Sequence, residues 1–155
     1  MLLKLDNPKL FSEVISIISD LVLEVRIRVT KEGLSISAID PASVAMIVFK
    51  LPSTAFSQWE IDQDELIGVS LESLKAVLRR VKSRSVLTLA REENELRIVI
   101  QDKIRREFNL ALIDVEGEEK PIPQLEFASK IEMNSLDFSE VIEDCSVVAD
   151  ACSFI

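Results

Sequence analysis

Two groups of side chains in this 155-residue sequence have the types and spacing to do chemistry. The first is acidic. Asp62, Asp64 and Glu65, with Gln63 among them, form a tetrad that could in principle hold a divalent cation, and Asp40 stands directly before a proline. A calcium loop needs further oxygen ligands at set offsets, and none follow, so the tetrad reads as an exposed turn. An enzyme built on Asp40 or on the Asp62-Asp64-Glu65 cluster would have to show metal-dependent turnover. The second group is basic. Lys75, Arg79 and Lys82 fall at i, i+4 and i+7 of a helical pattern, with Arg80 and Arg84 nearby, the most basic stretch of the chain. Such a run is ordinarily a solvated helix face. The net charge of −9 repels nucleic acid and anionic membrane as a whole, so any DNA contact must come from a local basic face.

Other chemistries lose support from composition. With no histidine, catalytic triads and most zinc sites are excluded in their usual forms. Three glycines, none in a phosphate-loop pattern, argue against nucleotide binding, and no cofactor is expected. Cys145 and Cys152, seven apart on apolar faces, read as buried free thiols. A hydrophobic fraction of 48% beside 29% charged residues fits a soluble globular chain with a sizeable core. No window approaches the ~18 uninterrupted apolar residues of a membrane span. The N-terminus lacks the apolar core of a signal peptide, so an intracellular location is expected.

The elements that must position these groups follow from periodicity. Residues 1–5 read as a short strand. Asn7 as N-cap and Pro8 in the first turn open a helix over 9–22. Its apolar face is Leu10, Phe11, Val14, Ile15, Ile17, Ile18, Leu21 and Val22; its polar face is Ser12, Glu13, Ser16, Ser19 and Asp20. Residues 24–30 alternate as a strand with one wet face, and Lys31-Glu32-Gly33 turns it. A second alternating strand occupies 34–38. Asp40-Pro41 breaks it, and the nearly all-apolar run 44–51 reads as a strand covered on both faces. Pro52-Ser53-Thr54 can begin one helical turn, and short strands are expected around Ile61 and over 66–70. A second helix spans 70–82, with a partial cap from Ser70 and an apolar face of Leu71, Leu74, Val77, Leu78 and Val81. Three alternating strands, 86–90, 96–100 and 106–113, close the unit. The order indicates an α+β domain with two helices on one face of an antiparallel sheet.

Residues 114–124 change character: charge, Gly117 and two prolines mark an extended linker. A strand resumes over 125–133. The pentapeptide Phe138-Ser139-Glu140-Val141-Ile142 then repeats Phe11-Ser12-Glu13-Val14-Ile15 at an offset of 127 residues. The apolar pattern continues at that offset: Ile18 with Cys145, Leu21 with Val148, Val25 with Cys152, Ile27 with Phe154. The position of the match, at the head of an amphipathic helix in both copies, indicates a duplicated domain. The expected division is a first domain over 1–113, a linker over 114–124, and the start of a second, incomplete domain over 125–155. The sequence is accordingly expected to be an N-terminal fragment of a two-domain protein.

A duplicated α+β domain joined by an acidic, proline-containing linker resembles the sliding clamps of the proliferating cell nuclear antigen family of archaea and eukaryotes. The points of resemblance are residues 33–46 with Asp40, the Ser70-Leu71 entry into the basic helix, and Pro121-Ile122-Pro123 at the linker's end. The many Ile, Glu and Lys residues suggest an archaeal member. The resemblance implies a DNA-clamp fold and a non-enzymatic trimeric ring around duplex DNA. Such a ring tethers polymerase, clamp loader, flap endonuclease and DNA ligase through short peptide motifs. It would work in the cytoplasm or nucleoid of an archaeon or the nucleus of a eukaryote. Carried over by position, Ile39, Ser43, Val44 and Met46 would line the client-peptide pocket, with Pro121, Ile122 and Pro123 closing one side. Lys75, Arg79, Arg80, Lys82 and Arg84, with Lys9 on the first helix, would face DNA phosphates. The strand 106–113, with Arg106, Phe108, Leu110 and Leu112, would form the edge that pairs with the neighbouring subunit in a homo- or heterotrimer. The first helix departs from the family pattern, because it offers serines and Glu13 where lysines are usual. The 155 residues alone are expected not to close a ring. The alternative reading is an acidic protein-interaction scaffold that never encircles DNA.

Overall fold

The computed structural model describes residues 1–115 and 126–154. They fall in two compact units, Met1–Ile122 and Pro123–Ile155.

The first unit runs β1 (Leu2–Leu5), α1 (Lys9–Ile18), β2 (Glu24–Thr30), β3 (Gly33–Ile39), β4 (Met46–Pro52), a single 3-10 turn (Ser53–Ala55), β5 (Gln58–Glu60), β6 (Glu65–Ser70), α2 (Leu71–Leu78), β7 (Val86–Glu92), β8 (Glu95–Gln101) and β9 (Arg105–Ala111). All strand pairs are antiparallel. They divide between a five-stranded sheet, ordered β5-β1-β7-β8-β9, and a four-stranded sheet, ordered β4-β3-β2-β6. The sequence pattern does not reveal that division. One continuous core joins both sheets to the helices: Leu3, Phe11, Ile15 and Ile18 meet Ile27, Leu34 and Ile36 of one sheet and Leu87, Leu96 and Ile98 of the other. The period-two residues of β2, Val25, Ile27 and Val29, are all buried, and burying each such side chain is worth roughly 1.5–3 kcal/mol.

The second sheet is extended by the chain that leaves β9. The amide of Ile113 donates to the carbonyl of Gly68 in β6 at 3.0 Å. A Cβ at Gly68 would run into the Ile113 carbonyl oxygen and come within 2.9 Å of Val115 Cγ2. Only a residue without a side chain admits this approach.

Several sequence expectations are corrected. Helix α1 begins on Pro8 with no side-chain cap, so Asn7 does not serve as N-cap. It also ends at Ile18 rather than at residue 22. The Ser19 hydroxyl donates to the Ser16 carbonyl at 2.6 Å, and the amides of Asp20 and Leu21 reach back three residues instead of four. Local serine bonds of this kind compete with the helical ladder. The helix is also rotated from the expected face. Leu10, Ile17 and Leu21 are exposed, while the Ser12 hydroxyl donates to the Leu78 carbonyl of α2 at 3.2 Å. Helix α2 stops at Leu78, with Arg79 as its C-cap residue, so Lys82 lies beyond it. Strand β4 begins at Met46, not at residue 44, and is not covered on both faces, because Val48 is exposed. Ile61 lies outside the short strand β5.

In the second unit, α3 (Ser135–Ser146) carries the repeated pentapeptide. Asn134 caps it, accepting from the Leu136 amide at 2.8 Å. Phe138 and Phe154 stack with ring centroids 5.9 Å apart. No strand forms over the described residues 126–134, contrary to the strand expected at 125–133. A strand needs neighbours that complete its ladder, and none pairs with it among the described residues. The cysteines are not buried thiols: Cys145 is half-buried and Cys152 exposed. Burial, with Cys152 beside it, pushes the Cys145 thiol above its usual range. No helix among the described residues is long and apolar enough to cross a membrane.

Candidate nucleic-acid and peptide interfaces

The basic residues do not form one helical stripe. Lys75 is turned into the contact between helices. Its ammonium lies 2.9 Å from the Asp20 carboxylate and 3.4 Å from the Ser16 carbonyl. Lys9 pairs with Glu13 at 3.6 Å on the exposed side of α1. The remaining four, Arg79, Arg80, Lys82 and Arg84, stand exposed along the connection from α2 to β7. None of them has an ion pair or side-chain hydrogen bond among the described residues. Lys82 lies close enough to Asp102 to help hold that carboxyl below its usual range, behind the larger effects of the Ile104 amide and the Arg106 guanidinium.

The connection is shaped by a residue the sequence reading passed over. Ser85 is fully buried. Its hydroxyl accepts from the Lys82 amide at 2.9 Å, and its own amide donates to the Lys82 carbonyl at 3.0 Å. This closed turn follows the end of the helix at Leu78, with Lys82 and Arg84 exposed at the surface. A serine directly after a basic run, just before an apolar strand, is the available sequence signal.

The connection from β3 to β4 is built on Asp40. Its carboxylate accepts from the amides of Ala45 (2.6 Å), Val44 (2.7 Å) and Ala42 (3.1 Å). The Asp40 amide returns a bond to the Ala45 carbonyl at 3.0 Å. The Ala45 amide, followed by those of Val44 and Ala42, holds the carboxyl below its ordinary range. Ser43 adopts a left-handed φ of 57°, which turns the chain tightly enough for these amides to converge. Ile39 and Met46 face each other in register, half-buried, at the base of the loop. Ser43 and Val44 sit at its tip, Val44 86% exposed. The loop therefore presents an apolar surface on a braced backbone. Pro121, Ile122 and Pro123 lie outside the described residues.

Strand β9 is the last strand of its sheet, paired with β8. Arg106, Phe108, Leu110 and Leu112 are half-buried. Phe108, Leu110 and Leu112 pack against the core, and Arg106 pairs with Asp102 at 3.0 Å. The exposed positions of this edge are Arg105, Glu107, Asn109 and Ala111. Any pairing along the edge would therefore run through backbone and these alternate side chains.

The acidic tetrad does not converge. Asp62, Gln63 and Asp64 are exposed, whereas Glu65 is drawn to the N-terminal ammonium at 3.2 Å and to Arg91 at 3.3 Å. Among the described residues no group of three acids, cysteines or histidines is placed to hold a metal ion.

With this geometry in hand, comparison with known proteins is decisive. Residues 1–119 match the model of the proliferating cell nuclear antigen N-terminal domain. The chain belongs to the proliferating cell nuclear antigen family. It is 40% identical over 151 residues to the DNA polymerase sliding clamp of Pyrococcus abyssi and 38% identical to that of Pyrococcus furiosus. Each alignment covers 97% of this chain and 61% of the relative, so the chain spans about three-fifths of their length. Among solved structures, the PCNA2–PCNA3 complex of Sulfolobus tokodaii superposes with a TM-score of 0.88 at 26% identity, over 96% of this chain and 61% of that one. The PCNA of Thermococcus kodakaraensis superposes with a TM-score of 0.76 at 30% identity, over 80% and 51%. The antiparallel sheets with their helices are thus the clamp fold of this family.

Proposed function

We propose that the chain acts as a sliding-clamp subunit. In this reading residues 1–113 form a first clamp domain, 114–124 a connector, and the chain from 125 the start of a second domain. Subunits assemble into a trimeric ring around duplex DNA through the β9 edge. The ring performs no chemistry. It tethers polymerase, clamp loader, flap endonuclease and ligase inside the cell through peptide motifs that seat on Ile39, Ser43, Val44 and Met46, with Pro121, Ile122 and Pro123 alongside.

The observation that carries this reading is the exposed connection bearing Arg79, Arg80, Lys82 and Arg84 on a chain of net charge −9. Four exposed cations that form no ion pair among the described residues suit phosphate contact, and none is placed to select a base. Weak, salt-sensitive contact of this kind lets a ring move along DNA. The test is topological. The gene's full product, loaded on nicked circular duplex, is expected to be retained at moderate salt and released when the circle is linearised. Equal retention on both forms would overturn encirclement. Peptide binding without any DNA retention would favour a protein-interaction scaffold instead.

A further inference from the structure

We infer that Lys75 is an interhelical tie and not a phosphate contact. Its ammonium reaches two groups of α1 at once: the Asp20 carboxylate at 2.9 Å and the Ser16 carbonyl at 3.4 Å. Ser16 belongs to the last turn of α1, where carbonyls lack helical partners and the helix dipole is negative. That turn carries no basic residue of its own. Lys75 supplies the cation from α2. The exchange is mutual, because the Ser12 hydroxyl of α1 takes the carbonyl of Leu78, the last residue of α2. Each helix thus adds a bond to a C-terminal carbonyl of the other, beside those from the Ser19 hydroxyl and the Val81 amide.

Burial supports the same assignment. The Lys75 side chain is 20% exposed, while that of its partner Asp20 is 72% exposed. A phosphate could recruit Lys75 only by drawing it away from both the carboxylate and the helix end. Arg79, Arg80, Lys82 and Arg84 form no ion pair among the described residues, and they follow directly from the helical turn that Lys75 anchors. Residue spacing alone groups Lys75 with Arg79 and Lys82. The fold separates them by task.

The part of this inference that concerns phosphate rests on the proposed DNA contact; the tie itself does not. The test uses the 155-residue chain with Lys75→Met, Lys75→Asp, the charge swap Lys75→Asp/Asp20→Lys, and Arg79→Ala. In thermal melts Lys75→Met is expected to lower Tm by about 2–4 °C. Lys75→Asp should lower it further, and the swap should recover most of that loss. On a labelled duplex titrated with NaCl, Lys75→Met should keep the wild-type slope of log Kd against log salt, while Arg79→Ala should reduce it by about one. A slope reduced as much by Lys75→Met as by Arg79→Ala would overturn the inference. So would a swap that recovers no Tm. If the wild-type chain shows no salt-dependent duplex binding, the proposed phosphate contact of the α2–β7 connection fails, and recovery or non-recovery of Tm in the swap decides the tie.

Discussion

The same five residues, Phe-Ser-Glu-Val-Ile, occur twice in this chain and meet two different surroundings. Both copies are helical. In α1, Phe11 is 1% exposed and Ile15 fully buried, locked between the helix and both sheets. In α3, Phe138 is 42% exposed, Val141 is exposed, and no α3 residue is fully buried. The helix ends reverse the contrast. α1 has no side-chain cap, whereas Asn134 caps α3. Local sequence therefore suffices for the helix, while the neighbouring strands decide what that helix contributes to stability. A buried helix tolerates a poor cap; an unburied one depends on a good one.

The largest expected effect separates the two phenylalanines. Phe11→Ala should destabilise the first unit by about 3–5 kcal/mol through lost burial and a cavity. Denaturation followed by the single tryptophan, Trp59 of the first unit, reads it directly. Phe138→Ala should leave that transition in place; a matching shift would break the contrast. The caps come next. Asn134→Ala should cost α3 about 1 kcal/mol, seen as faster amide exchange in its first turn, and Asn7→Ala should leave α1 unchanged. Ser12→Ala removes the bond to the Leu78 carbonyl and should cost about 0.5–1 kcal/mol. Its counterpart Ser139→Ala, exposed in α3, should cost nothing measurable.

The smallest effect is local and depends on pH. The Asp40 carboxyl is lowered in the fold, so on acidification the unfolded chain takes up the proton first. Its contribution is complete above the ordinary carboxylate pKa of about 3.9 and is lost as pH falls through the lower folded value. Exchange protection of the Val44 and Ala45 amides should therefore hold at neutral pH and vanish in acid. In Asp40→Ala it should be absent at every pH, with Tm little changed. Protection unaffected by the substitution would mean the loop is braced by something other than this carboxylate.

How much of this was legible beforehand depends on what each residue's signal encodes. The strands β2 and β3 could be read because alternation reports a half-buried surface directly. The orientation of α1 could not. Serine scores as polar, yet the small Ser12 side chain lies toward α2 and donates to its Leu78 carbonyl, while Ser16 contributes its backbone carbonyl to Lys75. Leu10 and Ile17 score as core but face outward. Likewise Lys75, Arg79 and Lys82 share a helical spacing, but the helix ends at Leu78 and gives way to the turn at Lys82–Ser85, and Asp20 claims Lys75. Both events depend on partners far away in sequence or on a turn that takes the helix's place. The loop at Asp40 was legible as a break at Asp-Pro, whereas its three converging amides required the left-handed Ser43, which nothing in the residue type announces.

The proposed contact with DNA lies on the connection from α2 to β7. Duplex binding by fluorescence anisotropy across a NaCl series, comparing the wild-type chain with Arg79→Ala/Arg80→Ala/Lys82→Ala/Arg84→Ala, tests it most directly. The substituted chain should lose nearly all of the salt dependence while its Tm stays close to wild type. An unchanged slope in that variant would contradict it.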